Sequence, residues 1–174
     1  YIFYSMFGFQ RIGDQMWLAG DIRTKGFLLG GTAGRTTLNG EGLQHQAGHS
    51  HLLASALPTL MTYDTAFRYE IAVIIRDGLR RMYHDGEEIF YYLTLGNENY
   101  QHPDMPENAR DGILKGLYLF QQGEKSLQIT ANIFGSGSIM KSAIKAQKIL
   151  AEHYGIAATV WGATNYKRLR NDAL

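Results

Sequence analysis

Short apolar runs alternate along this chain with helix-length amphipathic stretches, separated by few residues, and that alternation leaves few folds open. An aromatic, strand-like opening (YIFYSMFGF) leads into a helix with Phe9, Ile12, Met16 and Ala19 on one face and Arg11, Asp14 and Gln15 elsewhere. Gly20 and Gly26 bracket its end, and residues 27–32 (FLLGGT) form a short strand. Residues 57–63 form another, opened by Pro58, where a missing N–H is tolerated. Asp64 is placed to cap a helix running from Thr65 to Tyr83. The run Ile71 to Ile75 is apolar on almost every side, which predicts a helix buried between layers. Asp85-Gly86 turns the chain into a strand over 89–95 (IFYYLTL). Beyond residue 108 come a strand over 127–134, a tight turn at 135–138 and a helix over 139–153. That helix turns Ile139, Ala143, Ala146 and Leu150 inward and Lys141, Lys145, Lys148 and Glu152 outward. Gly155 closes it, and a strand follows over 156–161. The pattern predicts an α/β fold, mainly parallel sheet with flanking helices.

Residues 97–108 (NENYQHPDMPEN) interrupt the alternation with two prolines and few apolar groups, as a domain linker does. The 174 residues suffice for one domain, or for one and a part. Both ends look cut: the chain opens inside a strand-like run, and a new helix starts near Arg170. It is therefore expected to be an internal piece of a longer polypeptide. With 45% apolar and 19% charged residues it falls among folded proteins, and a net charge of +1 gives no bulk electrostatic case for nucleic acid or an anionic membrane. Zero cysteines exclude disulfides and thiolate metal sites. No apolar run approaches the ~18 residues of a membrane span, and the opening lacks the marks of a signal peptide.

One stretch is not explained by packing. Residues 35–51 (RTTLNGEGLQHQAGHSH) hold three histidines, His45, His49 and His51, with Glu41 and almost no apolar anchor. Structureless loops of this length between apolar flanks are usually functional or disordered. The imidazoles can be read as solvated loop groups, as metal ligands, or as groups handling substrate or protons near neutral pH. Glu41, four residues before His45, is close enough to tune it if the loop folds back. Gly30 to Gly34 and Gly135 to Ser138 look like phosphate loops but match no full fingerprint. For the second, a tight turn capped by Ser136 or Ser138 is the simpler reading. The aromatics Tyr1, Phe3, Tyr4, Phe7 and Phe9 suit a core. Phe7 to Phe9 also falls at a strand-to-helix junction, where open α/β sheets place ligands.

Taken together, YSMFGFQRIGD (4–14), GFLLGGTAGRTTLNGEGLQHQAGHSH (26–51), AVIIRDGLRRMY (72–83) and FYYLTLGNENY (90–100) resemble one family. It is the homodimeric bacterial type of pyruvate dehydrogenase E1 component, a thiamine-diphosphate enzyme of the transketolase superfamily. The similarity extends into GILKGLY and the GSGSI turn, so it covers nearly the whole chain.

The resemblance implies that residues 1–100 are most of a middle, pyrimidine-binding domain. Residues 101–174 would be a linker and the opening of a transketolase-like C-terminal domain. The implied parent is a cytoplasmic homodimer that decarboxylates pyruvate on thiamine diphosphate and Mg²⁺. It passes the acetyl unit to the lipoyl group of a dihydrolipoyl acetyltransferase (E2), with no nucleic-acid or membrane partner. The resemblance puts Tyr4, Phe7 and Arg11 at the aminopyrimidine end of the cofactor, with Phe7 stacking on the ring. It puts His45 near the reacting carbon, Glu41 in the same neighbourhood, and likens His51 to an active-site histidine of the superfamily. The diphosphate and Mg²⁺ belong to a separate N-terminal domain, and the catalytic glutamate belongs upstream of Tyr1, so this piece alone is expected to be inactive. The chain departs from the family at Ala47, where an acidic residue is usual, and in the linker. Two other readings remain at this stage: a related thiamine-diphosphate enzyme (another 2-oxoacid dehydrogenase or a transketolase), or a non-catalytic structural relative.

Overall fold

The strand–helix alternation is realised as two sheets in the computed structural model, which describes residues 1–3, 6–31 and 49–174. Its first part runs β1 (Ile2–Phe3), α1 (Met6–Arg11), α2 (Gly13–Asp21), β2 (Phe27–Gly30), α3 (Ser50–Ser55), β3 (Leu60–Asp64), α4 (Arg68–Leu79) and β4 (Phe90–Thr94). These strands form one parallel sheet in the order β1-β2-β4-β3. β4 lies between two neighbours and is buried at every position, as an apolar strand covered on both faces must be. Alternation along it feeds two cores. Phe90 and Tyr92 pack with Phe9, Met16, Ala54 and Leu60 under the first three helices. Tyr91 and Leu93 face the other way, against Tyr63, Ile74 and Met82. Each such fully buried side chain contributes about 1.5–3 kcal/mol.

The second part runs α5 (Ala109–Lys115), β5 (Leu117–Gln121), β6 (Ile129–Gly135), α6 (Met140–Tyr154), β7 (Ile156–Ala163) and α7 (Tyr166–Ala173). β6 and β7 pair in parallel across α6, whereas β5 pairs antiparallel to β7. The α/β fold with a mainly parallel sheet is therefore as expected, with one antiparallel edge strand added. Gly155 does end α6 in the left-handed region, φ 65°, where a side chain would be strained.

Several local expectations are corrected. Asp64 is the last residue of β3 and does not cap α4. α4 begins at Arg68, and Glu70 reaches back to accept the backbone N–H of Ala66 at 2.5 Å and of Phe67 at 3.0 Å. α4 is not buried between layers: of Ile71 to Ile75 only Ile74 is fully enclosed, and Ala72 is exposed. The helix continues through a π turn at Arg80–His84, so its predicted end was close. Ile139 points outward at 60% exposure, and the inward face of α6 is Met140, Ala143 and Gln147. The histidine stretch does not run unstructured to His51, because α3 already starts at Ser50. α7 starts at Tyr166, four residues before the expected Arg170.

The sheets are joined by polar contacts made where the first sheet ends. The Asp64 amide donates to the Thr164 carbonyl at 2.9 Å, and Tyr63 Oη donates to the Leu114 carbonyl at 3.0 Å. Deeper, the Tyr118 hydroxyl donates to Glu70 Oε1 at 2.6 Å and lies 2.8 Å from the Tyr69 hydroxyl. Glu70 is 1% exposed; burial pushes its carboxyl above the ordinary glutamate range, opposed by the bonds it accepts from Tyr118 and the Phe67 and Ala66 amides.

Candidate active site

Parallel strands bring their C-terminal ends to one edge, and ligands of open α/β sheets bind outside that edge. Here Phe3, Gly30, Thr94 and Asp64 stand in one row of register, each paired with its neighbour. Thr94 and Asp64 are the last residues of β4 and β3, so their side chains meet at the rim. The Thr94 hydroxyl donates to Asp64 Oδ1 at 2.5 Å. His51, in the first turn of α3, lies over the same spot, with Nε2 2.8 Å from Thr94 Oγ1. Its ring sits 5.4 Å from that of Tyr92, which in turn is 4.6 Å from the Phe9 ring on α1. One buried tyrosine thus seats both the helix that carries His51 and the helix that leaves β1.

The second sheet closes on the same carboxylate. Ser136, in the turn before α6, donates its hydroxyl to Asp64 Oδ2 at 2.7 Å rather than capping the helix. Gly137 follows with φ +50°, and a Cβ there would lie 2.7 Å from either Asp64 oxygen. An internal carboxylate therefore packs against the glycine turn, as suits a tight turn rather than a phosphate loop, since a phosphate there would meet like charge.

Burial lowers the His51 pKa, and the charge of Asp64 opposes that shift. The imidazole is held neutral near pH 7, competent as a base. Burial also pushes the Tyr92 hydroxyl up to about 12, so it stays protonated beside the histidine. A carboxylate, a hydroxyl and an imidazole in hydrogen-bonded sequence can orient a ring and stabilise it as it takes up a proton.

Of the residues singled out in the sequence, His51 belongs to this cluster. Arg11 ends α1 and is exposed, and Phe7 lies within α1, its side chain outside the described residues. α1 starts from the rim where β1 ends and packs on α3, so both segments share one edge of the sheet. His49 is exposed at the N-cap position of α3. Tyr4, Glu41, His45 and Ala47 lie outside the described residues. Of the aromatic group, Phe9 is core as expected, whereas Tyr1 is 75% exposed. Among the described residues no three His, Asp or Glu side chains converge to hold a metal ion, and no helix is long and apolar enough to cross a membrane. Sequence reasoning missed Thr94, Ser136 and the true position of Asp64. Their separations of 43, 72 and 30 residues from the groups they touch leave no local trace. The available signal was that Asp64 and Thr94 each end an apolar strand.

Residues 1–103 match the pyruvate dehydrogenase E1 component middle domain, and residues 116–173 match the transketolase-like C-terminal domain. The chain is 55% identical over 174 residues to a pyruvate dehydrogenase E1 component of Pseudomonas aeruginosa, covering 100% of this chain and 20% of that protein. It is 51% identical over 173 residues to the one of Escherichia coli, covering 99% of this chain and 19% of that protein. The chain thus spans about a fifth of the length of the curated relatives it matches. A transketolase structure from Campylobacter jejuni superposes with a TM-score of 0.75 at 17% identity, over 98% of this chain and 25% of that one. One from Leishmania mexicana gives 0.59 at 18% identity, over 84% and 20%. At that identity the likeness concerns the fold.

Proposed function

From the premise that this chain belongs to the pyruvate dehydrogenase E1 family, we propose that it is part of an E1 component. The parent would catalyse oxidative decarboxylation of pyruvate with thiamine diphosphate and Mg²⁺, and transfer the acetyl unit to the lipoyl group of an E2 acetyltransferase. It would act as a homodimer in the cytoplasm. Residues 1–100 would supply the pyrimidine-binding domain and 101–174 the linker and the start of the C-terminal domain.

The observation that carries this reading is the His51–Thr94–Asp64 cluster at the C-terminal rim of a parallel sheet, beside the segment that leaves β1. The rim fits the organic half of the cofactor in kind: an exposed arginine on α1 and a buried aromatic pair supporting α1 and α3 suit a flat, polar heterocycle. Among the described residues no cluster of three metal ligands is found. Mg²⁺ and the diphosphate would be held elsewhere in the parent. When bound, the cofactor supplies the electron sink that decarboxylation needs. Tyr4, Phe7 and Arg11 would seat its aminopyrimidine end, with Phe7 stacking on the ring. His45 would move or share a proton at the substrate-derived group, with Glu41 beside it, and His51 would supply a second, neutral imidazole.

Replacing His45 by Ala in the full-length protein tests this. Reductive acetylation of a lipoyl domain is expected to fall by roughly 10²-fold or more, while thiamine-diphosphate affinity stays within about twofold. Equal loss of both, or no loss of acetylation, sinks the role assigned to His45.

A further inference from the structure

We infer that Asp64 is a positioning residue: through the Thr94 hydroxyl it holds His51 as the Nε2–H tautomer and leaves Nδ1 as the free ring nitrogen. The inference rests on the reading that His51 serves the reaction, and it adds which nitrogen is free to do so.

The argument is one of proton counting. A threonine hydroxyl has a single hydrogen to donate. At 2.5 Å from Asp64 Oδ1, that hydrogen is committed to the carboxylate, which can only accept. The remaining capacity of Thr94 Oγ1 is to accept, so the contact from His51 Nε2 at 2.8 Å requires the hydrogen to sit on Nε2. Proton direction therefore runs from imidazole to hydroxyl to carboxylate, and the tautomer of the ring is set by a group 13 residues away in sequence with which it shares no bond.

Asp64 is held on three sides. Its register partner in β4 is Thr94 itself, its amide is tied to Thr164, and Ser136 donates to its outer oxygen. Gly137 packs against the carboxylate with no room for a Cβ. The Tyr92 ring then fixes the plane in which the imidazole lies. A carboxylate whose only task was to knit the second sheet to the first would need Ser136, but not the hydroxyl that leads to His51.

The test uses the full-length protein with ¹⁵N-labelled histidine, the His51 resonances being identified by their loss in His51→Gln. Wild type should show the Nε2–H tautomer. Thr94→Val removes the acceptor, and the ratio of Nε2–H to Nδ1–H should fall by roughly tenfold, about the worth of one hydrogen bond. Thr94→Ser should restore it. Asp64→Ala frees the Thr94 hydrogen and should lower the ratio similarly, whereas Ser136→Ala, which cuts only the tie to the second sheet, should leave it within about twofold. Pyruvate turnover should follow the tautomer through kcat, with KM nearly constant. An Nδ1–H wild type, an unmoved tautomer in Thr94→Val, or a Ser136→Ala effect as large as that of Thr94→Val overturns the inference whatever the activity does. A moved tautomer with undiminished turnover upholds the inference and removes His51 from the proposed reaction.

Discussion

Replacing Glu70 by Gln and by Ala should give losses of very different size, and the contrast tests how the two sheets are joined. Glu70 is 1% exposed; its Oε2 accepts two backbone N–H groups and its Oε1 accepts the Tyr118 hydroxyl. Burial raises its pKa against those bonds, penalising the charged form relative to the neutral acid. Glutamine has that shape. Its oxygen can take both amides, its NH₂ can donate to Tyr118, and the Tyr118 hydrogen can turn to Tyr69, 2.8 Å away. The expected cost is below about 1 kcal/mol. Alanine leaves the Ala66 and Phe67 amides without that partner, each worth about 1–3 kcal/mol when buried, plus a cavity. With partial rescue by water, about 3–5 kcal/mol should be lost. Native-state hydrogen exchange of α4 amides in the full-length protein reads this locally, which suits a multidomain chain. The pH dependence has a definite sign. Because the folded pKa lies above the unfolded one, the contribution of Glu70 is complete below the ordinary glutamate range and is lost as pH rises through the folded value. Protection in Glu70→Gln should therefore gain on wild type as pH rises. A Gln variant as damaged as Ala at neutral pH, or a wild type that gains on Gln with rising pH, would refute the reasoning.

Two glycines give further tests. A Cβ on Gly162 would lie 2.3 Å from the Tyr118 ring, which Glu70 and Tyr69 hold in place, so Gly162→Ala should destabilise by about 1–3 kcal/mol, read as a fall in Tm; an unchanged Tm would mean the ring is not seated there. Gly137→Ala meets both a left-handed backbone, φ +50°, and the Asp64 carboxylate at 2.7 Å. It should cost about 1–2 kcal/mol and lower pyruvate turnover at unchanged circular dichroism, and full turnover would show that the Asp64 turn does not bear on the site.

Much of the fold was legible because period and chemistry agreed. The run IFYYLTL reads as a buried strand and is one, and Phe9, Ile12, Met16 and Ala19 pack on one core, although the expected single helix is broken into α1 and α2 at Ile12. The failures have local causes. Asp64 before Thr65 looks like a cap, but three more residues intervene before Arg68, and Glu70 takes over the capping from inside the helix. α3 is six residues long and opens with Ser50-His51 after His49, too short for its period to show. The outward Ile139 shows the limit of helical spacing at a boundary, where a 3₁₀ turn at Gly137–Ile139 shifts the phase before α6 begins. The site was legible only in part. Histidines stand out by type, but Thr94 and Ser136 are ordinary residues given meaning by strand ends and by a turn from the second sheet.

The most direct test of the account is acetyl transfer by the full-length protein, supplied with thiamine diphosphate and Mg²⁺, to a lipoyl domain. Pyruvate should give saturable acetylation that depends on the cofactor, with 2-oxoglutarate and ketose phosphates far weaker. Absence of saturable thiamine-diphosphate binding, or a preference for either of the other substrates, would contradict it.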